Sequence, residues 1–356
     1  MTTRNTSNAA LKDLGGGGAE ERFTVCDPQT SFFVQCCQRH TNFAFAQLDY
    51  VFDQNPTNLP TWNDGLILEC KQTKHGDLAI GSWLQLNLSR LTLPSGTIAR
   101  ADDAGGTLSP FLLGERDEDV NLHWVEEVGP AAVMQADWVV GANTMDRLYP
   151  ETIHMYHEHG TPEGRILRDA IGKQRSGNYI NSSYTNTPAL QSFSATDRAL
   201  YVPLYFSYMQ SPKNAFPIVA VTHDPIRYRI TLRGRSSLIV ALDMSTPGTP
   251  VPISKADPLL NPTTAVTGGI LQSAYLTMEL VFLAKPEQAS YTSTAFKKYY
   301  EYTQVKAGKM VRAGDKTVTI DNLGFNHRVV QLSAFYRAAA KLADNVGEYF
   351  NFSTPL

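Results

Sequence analysis

LYVPLYFSYMQSPKNAFPIVAVTHDPIRYRITL, residues 200–232, is the stretch of sequence that decides the fold. It contains a near-continuous apolar run, a turn at Pro212 and Asn214, a second apolar run and then an alternating segment. Short runs of this kind, bounded by turn residues, are typical of strands buried between layers. The stretch therefore predicts three short strands, and it contains no group that suggests catalysis.

Strand patterns recur along most of the chain. In residues 271–283, Leu276, Met278 and Leu280 occupy one face with a period of two, which is the spacing of a strand. Many short strands separated by turn residues predict an all-β, antiparallel sandwich, and about eight strands make one jelly roll. The predicted strands are residues 43–52, 66–71, 79–91, 120–125, 133–140, 200–209, 218–221, 226–233, 238–242 and 271–283.

Two long interruptions are expected to decorate this sandwich. Residues 149–171 have helical character, with Pro150 at the first helical position and Gly172 as a stop, and a polar stretch follows them. Residues 246–269 are rich in Pro, Thr, Ser and Gly, which favours an exposed loop. Long loops on a rigid sandwich usually make contacts, so both are candidates for interaction.

The pattern divides the chain into three parts. Residues 1–21 are expected to form a flexible N-terminal arm, and residues 22–285 a first jelly roll with long surface loops. Residues 286–356 begin with a short helix and hold at most four strands, at 299–305, 317–320, 329–336 and 349–352. Because half a jelly roll cannot bury its own apolar face, we expect either a C-terminally truncated sequence or a second barrel completed by another chain.

Composition excludes some classes of protein. Of the 356 residues, 42% are hydrophobic and 18% charged, and the formal net charge is −3. This balance argues against a protein that coats or condenses nucleic acid, so no direct nucleic-acid contact is expected. No apolar run approaches the roughly 20 residues of a membrane helix, and no signal sequence is recognisable at the N-terminus.

The four cysteines give no sign of a metal site or a disulfide framework. Cys26, Cys36, Cys37 and Cys70 all lie in the first fifth of the chain, and no C-x-x-C spacing or matching histidine accompanies them. Free, largely buried thiols in a reducing compartment are the simpler interpretation. No cofactor is expected.

His154, His157 and His159, with Glu158 between them, are the nearest approach to a metal site. His154 and His157 would share a helical face, but the motif lacks the second histidine of H-E-x-x-H, and Gly160 interrupts the helix. A surface helix end that carries histidines is the simpler interpretation. We assign no metal site and no catalytic residue.

Arg227, Arg229 and Arg233 are the candidate interface residues, because a strand over residues 226–233 would place them on one face. Phosphates could bind there, but the net charge favours acidic groups of a neighbouring subunit. Among three glycosylation sequons, Asn181 is the only credible carrier, because it lies in a polar loop, whereas Asn87 and Asn351 fall in predicted strands.

Five stretches, in this order along the chain, carry a resemblance to a known family. DPQTSFFVQCCQRHTNFAFAQLDYVF at 27–52 is similar to the family's opening, a short helical turn before the first strand. LECKQTKHGDLAIGSWLQLNL at 68–88 is similar to its Gly-Asp-Leu hairpin, with His75, Gly76 and Asp77 at the turn. The other three are residues 133–158, 200–232 and 274–302. Together they resemble the major capsid protein of large icosahedral double-stranded DNA viruses, the group that includes iridoviruses and chlorella viruses.

The resemblance implies a double jelly roll and a structural, non-enzymatic role. GFNHRVVQLSAF, residues 324–335, is similar to the first core strand of the family's second barrel. The expected assembly is a homotrimer that forms a pseudo-hexagonal capsomer and contacts neighbouring capsomers in an icosahedral shell. Minor capsid proteins and an inner membrane would lie below that shell. The expected location is the virion, after assembly in the host cytoplasm.

Two other classes of function remain open at this point. One is an isolated β-sandwich module that binds carbohydrate or another ligand, which would need a concave face with exposed aromatic residues. The other is a cupin-like metalloenzyme, also a jelly roll, with its metal held by the His154 cluster.

Overall fold

The computed structural model describes the parts of the chain that build the β-sandwich and the segments packed against it. Within them, sixteen strands and five α-helices are formed. The described residues are 42–54, 56–59, 62–73, 75–92, 97–101, 108–112, 120–159, 167–173, 194–243, 251–252, 267–293, 300–306, 317, 319–320, 323–325, 329, 331–337 and 349–350.

The strands and helices are numbered here in chain order. The strands are β1 Phe43–Val51, β2 Leu66–Gln72, β3 Leu78–Leu88, β4 Leu91–Thr92, β5 Thr97–Ala101, β6 Leu108–Leu112, β7 Val120–Trp124, β8 Val133–Val140, β9 Asn143–Leu148, β10 Arg198–Pro203, β11 Phe216–Pro217, β12 Ile226–Leu232, β13 Ile239–Asp243, β14 Val251–Pro252, β15 Thr267–Gly268 and β16 Leu271–Leu283. The helices are α1 Val128–Ala132, α2 Pro150–His159, α3 Arg168–Ile171, α4 Arg235–Leu238 and α5 Lys285–Ser293.

Nine of these strands form two antiparallel sheets that face each other. The first sheet has the order β1-β16-β3-β10, with β11 also paired to β3, and the second has the order β2-β12-β8-β9. In both sheets an early strand lies beside a late strand of the jelly roll, β1 beside β16 and β2 beside β12, and the chain crosses repeatedly between the sheets. This is the double Greek-key arrangement of a jelly roll, so the predicted fold class is confirmed.

The core lies between the two sheets because inward and outward side chains alternate along each strand. In β12, Ile226, Tyr228, Ile230 and Leu232 are buried while Arg227 is exposed. The inward residues of the two sheets belong to one continuous apolar cluster. Burial of this alternating face is what fixes the strand register, since a slip of one residue would turn every apolar side chain outward.

The long connections leave the jelly roll from one end. Antiparallel pairing makes β1 parallel to β3 and β9 parallel to β12. β2 is antiparallel to β12 and follows β1 after a short connection, so all four strands run in one direction and the connections after them start at the same end. Strands inserted after β3 pair with strands inserted after β12, since β7 pairs with β13 and β4 with β15. The insertions therefore support one another at that end.

The predicted Gly-Asp-Leu hairpin is wrong, because its two strands belong to different sheets. β2 pairs with β12 and β3 with β16, so the connection between β2 and β3 joins the two sheets at the opposite end. Gly76 has a φ of 81°, a left-handed conformation that glycine adopts without strain. Asp77 fixes the corner, because its Oδ2 accepts hydrogen bonds from Leu283 N at 2.6 Å and Gln288 Nε2 at 2.9 Å.

Most strand predictions match the structure, and the exceptions have physical causes. β8 and β16 have the predicted bounds, but residues 204–209 are not in a strand and Ile218–Ala220 is a 3-10 turn. Ile218 is buried, which explains why the sequence is apolar there although the backbone does not form a strand. β9 was not predicted, since one of its inward positions is the polar Asp146. The predicted helical region contains α2 and α3, and Gly172 ends α3 with a φ of 78°.

Beyond β16 the described residues follow only part of the prediction. Helix α5, Lys285–Ser293, begins where Pro286 predicts a helix. Residues 300–305 and the described positions of 329–336 are not in strands, so those two predicted strands are wrong for the residues that the structure describes. Among the described residues, no helix has both the length and the apolar character needed to cross a membrane.

Candidate assembly interface

A row of alternating charges crosses the outer face of the β2 sheet. The strand register places Glu69 beside Arg229, Arg229 beside Asp137, and Asp137 beside Arg147. Arg229 Nη2 donates to Glu69 Oε2 at 3.1 Å, and Arg147 Nε donates to Asp137 Oδ1 at 2.7 Å. Arg227 lies two residues before Arg229 on the same face of β12, and its Nη1 is 3.8 Å from Glu69 Oε1. We call these five residues the charged row.

The structure separates the three arginines that the sequence groups together. Arg227 and Arg229 are half-exposed on the outer face of β12, where they keep hydrogen-bonding capacity for a second acidic partner. Arg233 lies beyond the end of β12, and its Nε donates to Ala131 O at 3.1 Å. Its guanidinium also lies 4.3 Å from the centre of the Tyr349 ring. Arg233 therefore serves contacts within the chain, and the other two remain the interface candidates.

An apolar edge lies on the other sheet, along β1. Phe43 and Phe45 are exposed and contact each other edge to face, with ring centres 5.2 Å apart. Val51, further along the same face of β1, is also exposed. Among the described strands β1 has β16 as its one neighbour, so β1 is an edge strand of the described sheet. The sequence signal for this edge was the alternation of Phe43 and Phe45 with alanine.

A buried ionic cluster lies beneath the insertions. Glu127 precedes α1 and accepts a hydrogen bond from His154 Nδ1 at 2.7 Å, and Lys173 Nζ lies 3.0 Å from its other oxygen. Lys173 also contacts Glu158. Glu127, His154 and Lys173 are all buried. Because Glu127 belongs to the insertion after β3 and the others to the insertion after β9, the cluster fastens these two insertions together.

The charges in this cluster stabilise one another. Burial raises the pKa of Glu127, but the hydrogen bond and charge of His154, together with the Lys173 ammonium, outweigh it and lower the pKa to about 2. Glu127 is therefore ionised at neutral pH. A buried carboxylate is costly unless it is paired, so the cluster depends on all its members.

The cluster does not fit a metal ion. Glu127, His154 and Glu158 have possible ligand atoms within 4.8 Å of one another, but the ammonium of Lys173 contacts both carboxylates where a cation would bind. Of the predicted histidines, His154 and His157 are buried, so the interpretation as a surface helix end is wrong for these two. The side chain of His159 lies outside the described residues.

Cys70 has the character predicted for the thiols. It is buried in the core, and burial, together with the charge of Asp53, raises its pKa to about 12. The thiol stays protonated and unreactive at neutral pH. Cys26, Cys36 and Cys37, the candidate glycosylation site Asn181 and the N-terminal arm at residues 1–21 lie outside the described residues.

Comparison with known proteins identifies what the chain is similar to. The family model described as the major capsid protein N-terminus matches residues 31–284, ending one residue beyond β16. The major capsid protein of Chrysochromulina ericina virus is 22% identical, over 90% of this chain and 57% of the relative. That of Pyramimonas orientalis virus is 22% identical, over 94% of this chain and 68% of the relative.

A solved structure of a major capsid protein is also similar to this chain. The Faustovirus major capsid protein is 12% identical over 80% of this chain and 62% of that chain, with a TM-score of 0.48. The chain spans 57% of the length of its relative from Chrysochromulina ericina virus.

Proposed function

The chain belongs to the family of major capsid proteins, and from that premise we propose that it is a structural subunit of the icosahedral shell of a large DNA virus. The observation that carries the proposal is the closed jelly roll between Phe43 and Leu283, which coincides with the family match at residues 31–284. A sandwich with a continuous core is a stiff block. Its function would be to meet other copies through its sides.

The outer faces of the sheets suggest how such a block would meet its neighbours. The charged row and the exposed Phe43 and Phe45 lie on different sheets and have different chemistry. A head-to-tail contact between two different faces closes into a ring when the rotation between copies is right. We propose that three copies close such a ring as a homotrimer, which forms a pseudo-hexagonal capsomer and packs against neighbouring capsomers.

We propose that the parts of the chain have separate roles. Residues 1–21 would be an arm, residues 22–285 the first jelly roll, and residues 286–356 the linker helix and the start of a second jelly roll. The positions of β16 and α5, which meet at residue 284, support this boundary. Minor capsid proteins and an inner membrane would lie below the shell, with assembly in the host cytoplasm and no direct contact with nucleic acid.

We propose no catalytic role. The relatives are named as capsid proteins, and His154, the centre of the candidate metal group, has contacts that explain its presence. Its ring bonds to Glu127 and stacks on Phe350 with ring centres 4.7 Å apart. These contacts fit a packing role.

Native mass spectrometry of the purified full-length protein tests the assembly. We expect a trimer as the main species, because closed cyclic symmetry satisfies both faces of every subunit. Reversing two charges of the row, with Arg227→Glu and Arg229→Glu together, should shift the equilibrium at least about tenfold toward monomer if this face meets an acidic neighbour.

Lys213→Glu is the matched control, because Lys213 is also exposed and basic but lies on the connection between β10 and β12. It should leave the trimer unchanged. A wild-type protein that stays monomeric at high concentration would count against the proposed function.

A further inference from the structure

The part of the chain that follows the linker helix returns to one element of the jelly roll. Described residues from 300–306, 331–337 and 349–350 each contact α2, the helix Pro150–His159. These segments are far apart in sequence, and yet their contacts fall on three positions of one ten-residue helix. Such convergence suggests a dedicated surface.

The first contact holds the linker. Tyr156 OH lies 3.1 Å from Thr303 Oγ1, and Gln210 Nε2 donates both to Tyr156 OH at 3.1 Å and to Glu301 O at 3.3 Å. Tyr300 continues the contact into the core, with its ring centre 6.5 Å from that of Trp138. The linker is therefore fixed by both side chains and backbone.

The second contact inserts an aromatic ring into the jelly roll. Phe350 is 5% exposed and belongs to the main apolar cluster, although it lies close to the end of the sequence. Its ring is parallel to that of His154, with an interplanar angle of 8°. His154 is itself held by Glu127, so the ring that receives Phe350 has a fixed orientation.

The third contact is polar and surrounds the second. Arg337 Nη2 lies 3.3 Å from Glu151 Oε1 at the start of α2, and Nη1 of the same arginine donates to Tyr349 O. Tyr349 OH donates to Ser237 O at 2.8 Å, while the guanidinium of Arg233 lies over its ring. Tyr349 and Phe350 are thus anchored on both sides.

We propose that α2 is a docking surface whose partner is the C-terminal part of the same chain, through the described residues 300–306, 331–337 and 349–350. On α2 the contacts are made by the carboxylate of Glu151, the ring of His154 and the hydroxyl of Tyr156. Their respective partners are an arginine, a phenyl ring and a threonine. Ile153 of α2 is fully buried in the jelly roll, so the helix has a fixed position. The C-terminal segments that dock on α2 are therefore held in a fixed position relative to the jelly roll. The surface sets the position of the second part of the subunit relative to the first. The inference does not depend on the role in a viral shell.

Hydrogen–deuterium exchange on the full chain tests this docking. Phe350→Ala removes the ring that fills the surface, so we expect amides in residues 150–159 and 300–306 to exchange at least about tenfold faster. Amides of β12 should keep their protection, because that strand is central in its sheet. Tyr336→Ala is the matched control, since Tyr336 is an exposed aromatic residue of the same part of the chain, and it should change neither region.

A pair of polar variants keeps the test valid if Phe350→Ala does not fold. Glu151→Ala and Arg337→Ala leave the core intact, because both side chains are partly exposed. Each should accelerate exchange in 150–159, and the double variant should exceed Arg337→Ala alone by less than about twofold, because the two residues share one contact. Unchanged exchange in 150–159 in the Arg337→Ala variant, or fully additive effects in the double variant, would overturn the proposal.

Discussion

Trp138→Ala is expected to reduce the free energy of unfolding by about 3–5 kcal/mol, the range for removal of a buried large aromatic side chain. Trp138 is fully buried in β8. Its ring centre lies 4.7 Å from that of Phe216 and 4.9 Å from that of Tyr208, both edge to face. Because domains are stable by only about 5–15 kcal/mol, this loss would remove a large fraction of the stability of the jelly roll.

Urea denaturation, monitored by the circular dichroism of the backbone rather than by tryptophan fluorescence, measures the effect. Met134→Ala is the control, since Met134 lies in the same strand but is exposed, and it should cost less than about 1 kcal/mol. If the two variants had equal midpoints, the core could not lie between the two sheets as described.

Glu127→Gln is expected to cost about 3–5 kcal/mol, because it leaves the buried ammonium of Lys173 without its buried partner. The variant keeps the shape of the side chain but removes the carboxylate that Lys173 and His154 contact. Lys173 is buried and would retain Glu158, which is more exposed. Desolvation of the ammonium would then no longer be offset.

The pH dependence provides a second readout for this variant. The folded-state pKa of Glu127 is about 2, below its ordinary value of 4.5. Its contribution to stability is therefore fully present above about pH 4.5 and is lost as the pH falls toward 2. Burial raises the pKa of Asp146 to about 6, so this group changes the stability with pH in the opposite sense. Because wild type and Glu127→Gln both contain Asp146, the difference between their stabilities isolates the contribution of Glu127.

Thermal unfolding at pH 7 and pH 3 provides these data. Glu158→Gln is the matched control, because it removes the more exposed carboxylate on the same lysine, and we expect a loss of about 1 kcal/mol or less. Equal effects of the two variants at pH 7 would show that burial does not determine the strength of the cluster.

Local patterns were sufficient to predict most strands of the jelly roll but not their partners. The alternation in β12 and β16 follows from burial of one face, which sequence shows directly. The pairing of β1 with β16 joins residues more than 220 positions apart, and no local pattern in the sequence indicates it. The hairpin predicted at Gly76 was wrong because a turn signal does not say whether the chain folds back within a sheet or crosses to the other.

The candidate sites show the same limit. Glu127 and Lys173 were not singled out, because each is an ordinary charged residue in the sequence and they meet only when two insertions fold together. Arg233 was grouped with Arg227 and Arg229 by its spacing, but β12 ends at Leu232 and the face changes there. A period of two holds only while the strand continues.

Quantitative mass spectrometry of purified particles of the virus that encodes this chain is the most direct test of the central claim. As a shell subunit, the protein should be among the most abundant proteins of the particle and should remain with the shell after the internal contents are released. Peptides that are plentiful in infected cells but present only in traces in the particles would contradict a structural role.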